Sequence, residues 1–336
     1  MRTTIVVAIL LCTLSARADS GRARAQQVAR ALESAARARD QGKSRTALQK
    51  LRASLSRFAG EPALLGAYAA LLLPLTDERP SPDSPQRAAT ELLRQIERAR
   101  SVPGNELATR DPERERVIRL HAALAEGVLG HFERAFEELI EAGRLQDVST
   151  LLCLRQLAVL AVRGEQLLVA EQALGMARQY MPQDPLLPGE LGRVMLARGK
   201  VGAAVGLLSE RLVNAGTDLG ARADLAYAIA AQGRAGEALA LLNRTREECQ
   251  RARACALLAA RIALEAERPQ DAVTFASPWA VEHDLDALFL LADAELRRGD
   301  PAAARVAYEQ VLVLRPESVR AKQGLEQLPR SNTERR

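Results

Sequence analysis

Apolar residues recur along this chain at spacings of three and four, and turn residues interrupt them at nearly even distances. Gly130, Gly164, Gly199, Gly233 and Gly299 stand 34, 35, 34 and 66 residues apart, each followed five or six positions later by an alanine. In the long gap Arg268-Pro269, with Ala272 just after, keeps the beat. The pattern predicts paired amphipathic helices, each hairpin too small to bury its own apolar face and dependent on stacking against the next. The first helix of a pair carries a large-then-small doublet: Leu157-Ala158, Leu191-Gly192, Leu225-Ala226 and Leu291-Ala292, with Ala122-Ala123 and Ala259-Ala260 as weaker versions. The second helix carries an alanine and a larger apolar residue four positions on: Ala135 and Leu139, Ala170 and Leu174, Ala204 and Leu208, Ala238 and Leu242, Ala304 and Tyr308. That spacing keeps both on one helical face.

On these residues the chain resembles the tetratricopeptide repeat (TPR) family. The clearest instance is 286–316, where Leu288, Leu291, Ala292, Gly299, Ala304, Tyr308 and the closing Pro316 occupy the family's packing positions; Pro182 closes an earlier unit in the same way. Met195, Ile229 and Glu295 stand where the family favours a tyrosine. The resemblance implies an all-α fold, a right-handed superhelical solenoid of antiparallel helix hairpins, with about six repeats over 116–316 and a capping helix over 317–330. Upstream, 28–58 reads as one hairpin centred on Gly42, Ala47 and Leu51, and 62–73 with 85–100 as a second, giving degenerate TPR-like hairpins over 19–101. Proline and small polar residues make 75–84 a loop, and a charged, proline-containing stretch makes 102–115 a linker. Ser84-Pro85 and Asp300-Pro301 have the cap-then-proline order of helix starts. Residues 331–336 read as a disordered tail.

The first twenty residues follow another pattern. Arg2, an apolar run over 5–14 and Ala16-Arg17-Ala18 are laid out as a cleavable signal peptide, with cleavage expected after Ala18. Leu11 before Cys12 argues against lipidation. The run is too short to span a bilayer, as is 63–75, which Pro74 interrupts. Export through such a signal, with cations that are nearly all Arg in an Ala-rich chain, points to a bacterial periplasm.

The net charge of +5 is spread beside acidic residues along every helix, which predicts a solvated surface and no nucleic-acid tract. Catalytic and metal chemistry is not legible. His121, His131 and His283 lie in no ligand-like spacing, Gly42-Lys43-Ser44 lacks the strand and leading glycine of a phosphate loop, and no cofactor is expected. Adjacent pairs Glu137-Glu138 and Glu247-Glu248 point to different sides of a helix and read as solvated faces. Cys249 and Cys255 straddle a turn between hairpins; they either bridge in an oxidising compartment or remain two half-buried thiols. Cys153, between leucines, reads as a buried apolar residue.

The resemblance also places first-helix positions beside the packing stripe on the inner, partner-facing surface. One such row runs Val159, Arg193, Tyr227, Arg261 and Asp293, and its neighbour Arg155, Gly189, Ala223, Leu257 and Phe289, with Arg297 one turn beyond Asp293. Tyr227 and Phe289 are candidate aromatic anchors, and Arg193 with Arg261 candidate clamps for carboxylates. The basic, asparagine-rich cluster by which some family members hold chaperone C-termini is missing. The reading is a non-enzymatic adaptor for a protein or peptide partner in envelope assembly, secretion or appendage biogenesis. The alternative is an accessory or regulatory subunit of an envelope polysaccharide or peptidoglycan enzyme.

Overall fold

Alanines predicted to share one face of the second helices with a larger apolar residue are fully buried. Ala135, Ala170, Ala204, Ala238, Ala272 and Ala304 are each 0% exposed, and Leu139, Leu208 and Leu242 four residues after three of them are 0% exposed as well. A methyl group at these positions lets two helices approach closely, with leucines packed beside it. The computed structural model describes residues 19–58, 61–72, 85–101, 112–142, 148–216 and 218–328. Eighteen helices and no strand occur among them, and none of these helices is long and apolar enough to cross a membrane. The signal-peptide segment, the 75–84 loop and the 331–336 tail lie outside the described residues.

The chain divides into two units between Gln183 and Asp184. The first holds four hairpins: α1 (Asp19–Asp40) with α2 (Ser44–Arg57), α3 (Pro62–Leu72) with α4 (Pro85–Arg100), α5 (Pro112–Val128) with α6 (Phe132–Glu141), and α7 (Val148–Arg163) with α8 (Leu167–Tyr180). Helix α5 starts at Pro112, so the last four residues of the expected linker 102–115 are its first turn. Leu51, Leu64, Leu65, Leu92 and Ile96 fill the earlier hairpins, and Leu120, Leu139, Leu154 and Leu157 the later ones.

Glu138 departs from its expected place on a solvated face. Its carboxylate takes two bonds from Arg100 of α4, at 2.9 and 3.0 Å, and one from Arg119 of α5 at 2.9 Å. Arg119 also pairs with Glu115 at 3.1 Å and with Glu141. Burial would raise the Glu138 carboxyl, but hydrogen bonds and charge from Arg100, then Arg119, hold it below the usual carboxylate range. Three helices are tied at one side chain. Glu137, one residue earlier, is exposed, as its helical phase requires.

The second unit comprises α9 (Leu187–Ala197), α10 (Val201–Ala215), α11 (Leu219–Ala231), α12 (Ala235–Asn243), α13 (Arg246–Arg251), α14 (Arg253–Glu265), α15 (Pro269–Val281), α16 (Leu285–Arg298), α17 (Pro301–Leu314) and α18 (Val319–Gln327). Carboxylates start three of the helices: Asp218 accepts from the Gly220 amide at 2.8 Å, Asp284 from Ala287 at 3.0 Å and Asp300 from Ala303 at 2.9 Å. The period also survives where glycine is not in register. Gly199 and Gly299 end helices with φ of 75° and 81°, whereas at the corresponding turns Glu165, directly after Gly164, has φ 59° and Glu267 has φ 56°. A Cβ makes that left-handed conformation costly, so the stacked hairpins impose it.

One second helix is broken. Helices α8, α10, α15 and α17 run 13 to 15 residues, but α12 stops after nine and the chain turns at Arg244-Thr245 into the six-residue α13. Arg246 of α13 pairs with Asp271 and lies 5.4 Å over the Phe275 ring, both on α15, and a disulfide joins Cys249 to Cys255 of α14, Cα atoms 5.1 Å apart. These contacts with neighbouring helices redirect a segment whose own composition would continue the helix.

Candidate functional site

The first helices α9, α11, α14 and α16 lie side by side in the second unit, each touching the next. Their repeat register decides what they present. Arg193 on α9 is exposed and reaches α11, where its guanidinium donates to Asp224 at 2.8 Å. Asp224 precedes Tyr227 by three residues, hence shares its face. Tyr227 is 50% exposed, and Arg261 on α14 is exposed with no ion pair among the described residues. Asp293 on α16 closes the row, held by Arg320 at 2.9 Å and by the Tyr308 hydroxyl at 3.2 Å. Arg297 is exposed and donates to the Leu264 carbonyl at 2.7 Å, an acceptor near the end of the adjacent first helix.

In the neighbouring row Gly189 and Leu257 are buried, which corrects the expected partner contact at Leu257, while Ala223 and Phe289 are partly buried. Leu257 is 7% exposed and belongs to the core around Leu288 and Ala292. Phe289 packs against that core, 6.4 Å from the Tyr308 ring, with the Arg320 guanidinium 4.3 Å over its face. Gly189 is buried under Arg211, whose Cγ would stand 3.0 Å from an added Cβ. The cause is positional. These residues lie one turn nearer the start of each first helix, where the second helix of the same hairpin or the start of the next first helix packs on them. In the first unit Val159 on α7 is 43% exposed, like Val162, while Arg155 is half-buried.

The structure therefore brings Arg193, Tyr227 and Arg261 to one exposed run on three successive first helices. Of the two arginines read as carboxylate clamps, Arg193 already holds Asp224, and Arg261 alone offers its charge unengaged among the described residues. Asp224 lies on neither row picked out by the repeat register, and its pairing with a residue 31 positions away has no local signal, so the sequence reading missed it. No group of three or more His, Cys, Asp or Glu placed to hold a metal ion occurs among the described residues. His121 is buried with an unpartnered Nδ1, and burial pushes its pKa down to about 4, keeping the ring neutral. Cys153 is buried, its thiol donating to the Leu120 carbonyl at 3.4 Å and its pKa pushed up to about 12 by burial, so it carries no thiolate chemistry.

No family model and no curated protein sequence matches the chain. Among solved structures, the C-terminal part of a TPR repeat-containing protein from Cytophaga hutchinsonii is 15% identical, aligning 88% of this chain with 99% of that one at a TM-score of 0.53. A tetratricopeptide repeat protein from Parabacteroides merdae is 13% identical over 90% of this chain and 98% of its own, at a TM-score of 0.49.

Proposed function

We propose that this all-α solenoid, which has the tetratricopeptide-repeat fold, is a non-enzymatic adaptor exported to a bacterial periplasm, where it holds a protein or peptide segment for envelope assembly, secretion or appendage biogenesis. The observation that carries the reading is the exposed run of Arg193, Tyr227 and Arg261 on α9, α11 and α14. A half-exposed tyrosine on the helix next to one bearing an unengaged guanidinium is the chemistry of a binding hot spot, while Leu257 of the adjoining row is buried. Export is supported by the signal-like segment at 1–18 and by the Cys249–Cys255 disulfide, a bond that persists in oxidising compartments.

A photocrosslinking side chain placed at 227 and, as control, at Val306 on α17 tests the site in whole cells. Adducts from 227 and none from 306 support it, and Tyr227→Ala with Arg261→Ala should weaken recovery of the same adduct. The reverse pattern overturns the site. Recovery of a glycosyltransferase or hydrolase as the adduct selects the accessory-subunit alternative. Export is tested separately: the mature chain should begin at Asp19 in N-terminal sequencing of a periplasmic extract, and a retained Met1 refutes it.

A further inference from the structure

Between α13 and α15, on helices other than those of the exposed run, a cavity of about 470 Å³ is lined by Glu247, Gln250, Arg251, Pro278, Trp279 and Glu282. The break in the second helix creates it, since a continuous helix after Asn243 would not lay a second short helix along α15. The neutral polar groups at its edge are largely engaged. The Trp279 ring N–H donates to the Gln250 carbonyl at 2.9 Å, and the Gln250 side-chain amide donates to the Thr274 carbonyl at 3.1 Å. Trp279 and Pro278 thus offer carbon surface, including an electron-rich indole. At the rim stand exposed carboxylates. Glu282 has no ion pair among the described residues, and Glu247 is met by Arg251 only at 3.7 Å with both side chains about four-fifths exposed, at 82% and 79%.

An indole beside carboxylates attracts a cation, and an apolar wall favours one carried on an aliphatic stem. A saccharide would stack on the same ring and donate its hydroxyls to the same carboxylates, so a neutral oligosaccharide is the competing ligand in the titration below. We propose that this cavity takes an arginine or lysine side chain from a partner polypeptide. Its wall is preformed: Gln250 follows Cys249, which the disulfide holds to α14, so little ordering accompanies binding. Arg251, 3.7 Å from the Glu247 carboxylate, is the internal competitor for it.

Trp279 is the only tryptophan in the chain, so its fluorescence reads this cavity alone. The full oxidised chain is titrated with N-acetyl-arginine amide and with its uncharged isostere, N-acetyl-citrulline amide. A saturable change with the arginine compound and none with citrulline is expected, weaker by about threefold in Glu282→Gln, as loss of one exposed charge contact implies, and stronger in Arg251→Ala. Both changed residues are exposed, and unaltered circular dichroism and Tm verify folding. Equal responses to the two compounds, no response, an affinity unmoved in Glu247→Gln/Glu282→Gln, or saturation by cellotetraose in place of the arginine compound each overturn the proposal.

Discussion

The side-chain amide of Gln250 donates a 3.1 Å hydrogen bond to the carbonyl of Thr274, the residue four positions before the helix-interior Pro278. Proline has no N–H to return to that carbonyl, so a side chain from another helix supplies the missing donor. The same glutamine's own carbonyl receives the Trp279 ring N–H at 2.9 Å. Through this exchange the displaced α13 is bonded to the helix whose defect it repairs.

Gln250→Ala should lower stability by ~1 kcal/mol, because it strands a partly buried acceptor. The cost should shrink in a Pro278→Ala background, where the restored N–H serves Thr274. A double-mutant cycle by thermal and urea denaturation measures the coupling, and an equal cost in both backgrounds would show that the bond contributes nothing specific.

Gly192 faces Leu208 so closely that an added Cβ would stand 2.8 Å from its Cγ, whereas Gly206, on the same pair of helices, has nothing within 4 Å. Gly192→Ala should therefore destabilise by ~1–3 kcal/mol through overpacking. Gly206→Ala should stabilise by up to ~1 kcal/mol through helix propensity. Opposite shifts in Tm are the expected result, and like shifts would contradict the packing described for α9 and α10.

Glu267 holds φ 56° at the turn before α15, while Gly299 holds φ 81° at the equivalent turn before α17. Glu267→Gly should raise stability by ~0.5–1 kcal/mol and Gly299→Ala lower it by a similar amount, since only glycine adopts this conformation without a steric cost. Chemical denaturation of both variants checks the pair.

His121 ties stability to mild acid. Its folded pKa is pushed down to about 4 by burial, against about 6.5 for an unfolded histidine. Between these values the unfolded chain binds the proton more tightly. The contribution is therefore complete above pH 6.5, is lost as pH falls towards 4 and changes no further below, for a total of about 3 kcal/mol. His121→Phe should flatten the slope of stability between pH 7 and 4; a slope unchanged in that variant would assign it to other groups.

Much of the architecture was readable because its causes are local. The Ala-Leu pairs of the second helices need only a spacing of four, and Asp300 needs only the amide three residues on, so both could be placed from the chain alone. Glu138 could not. Its partners Arg100 and Arg119 are 38 and 19 residues away and meet it only once three helices are stacked. The two candidate rows looked alike for the same reason: both change chemistry at every repeat. Leu257 is nonetheless buried and Phe289 partly so, while Arg193, Tyr227 and Arg261 are exposed.

By itself the sequence determined the hairpin period, the close-packed alanines, the caps and an all-α solenoid, because helix periodicity and capping act within a turn or two of chain. The turn glycines were readable to within one residue, Glu165 taking the left-handed place beside Gly164. Only the tertiary structure decided where the second helix breaks, that Cys249 and Cys255 are bonded, which row stays exposed and that Gln250 serves Thr274. Those outcomes depend on which surfaces meet across repeats, and burial at such a contact belongs to the pair of helices and not to the residues of either.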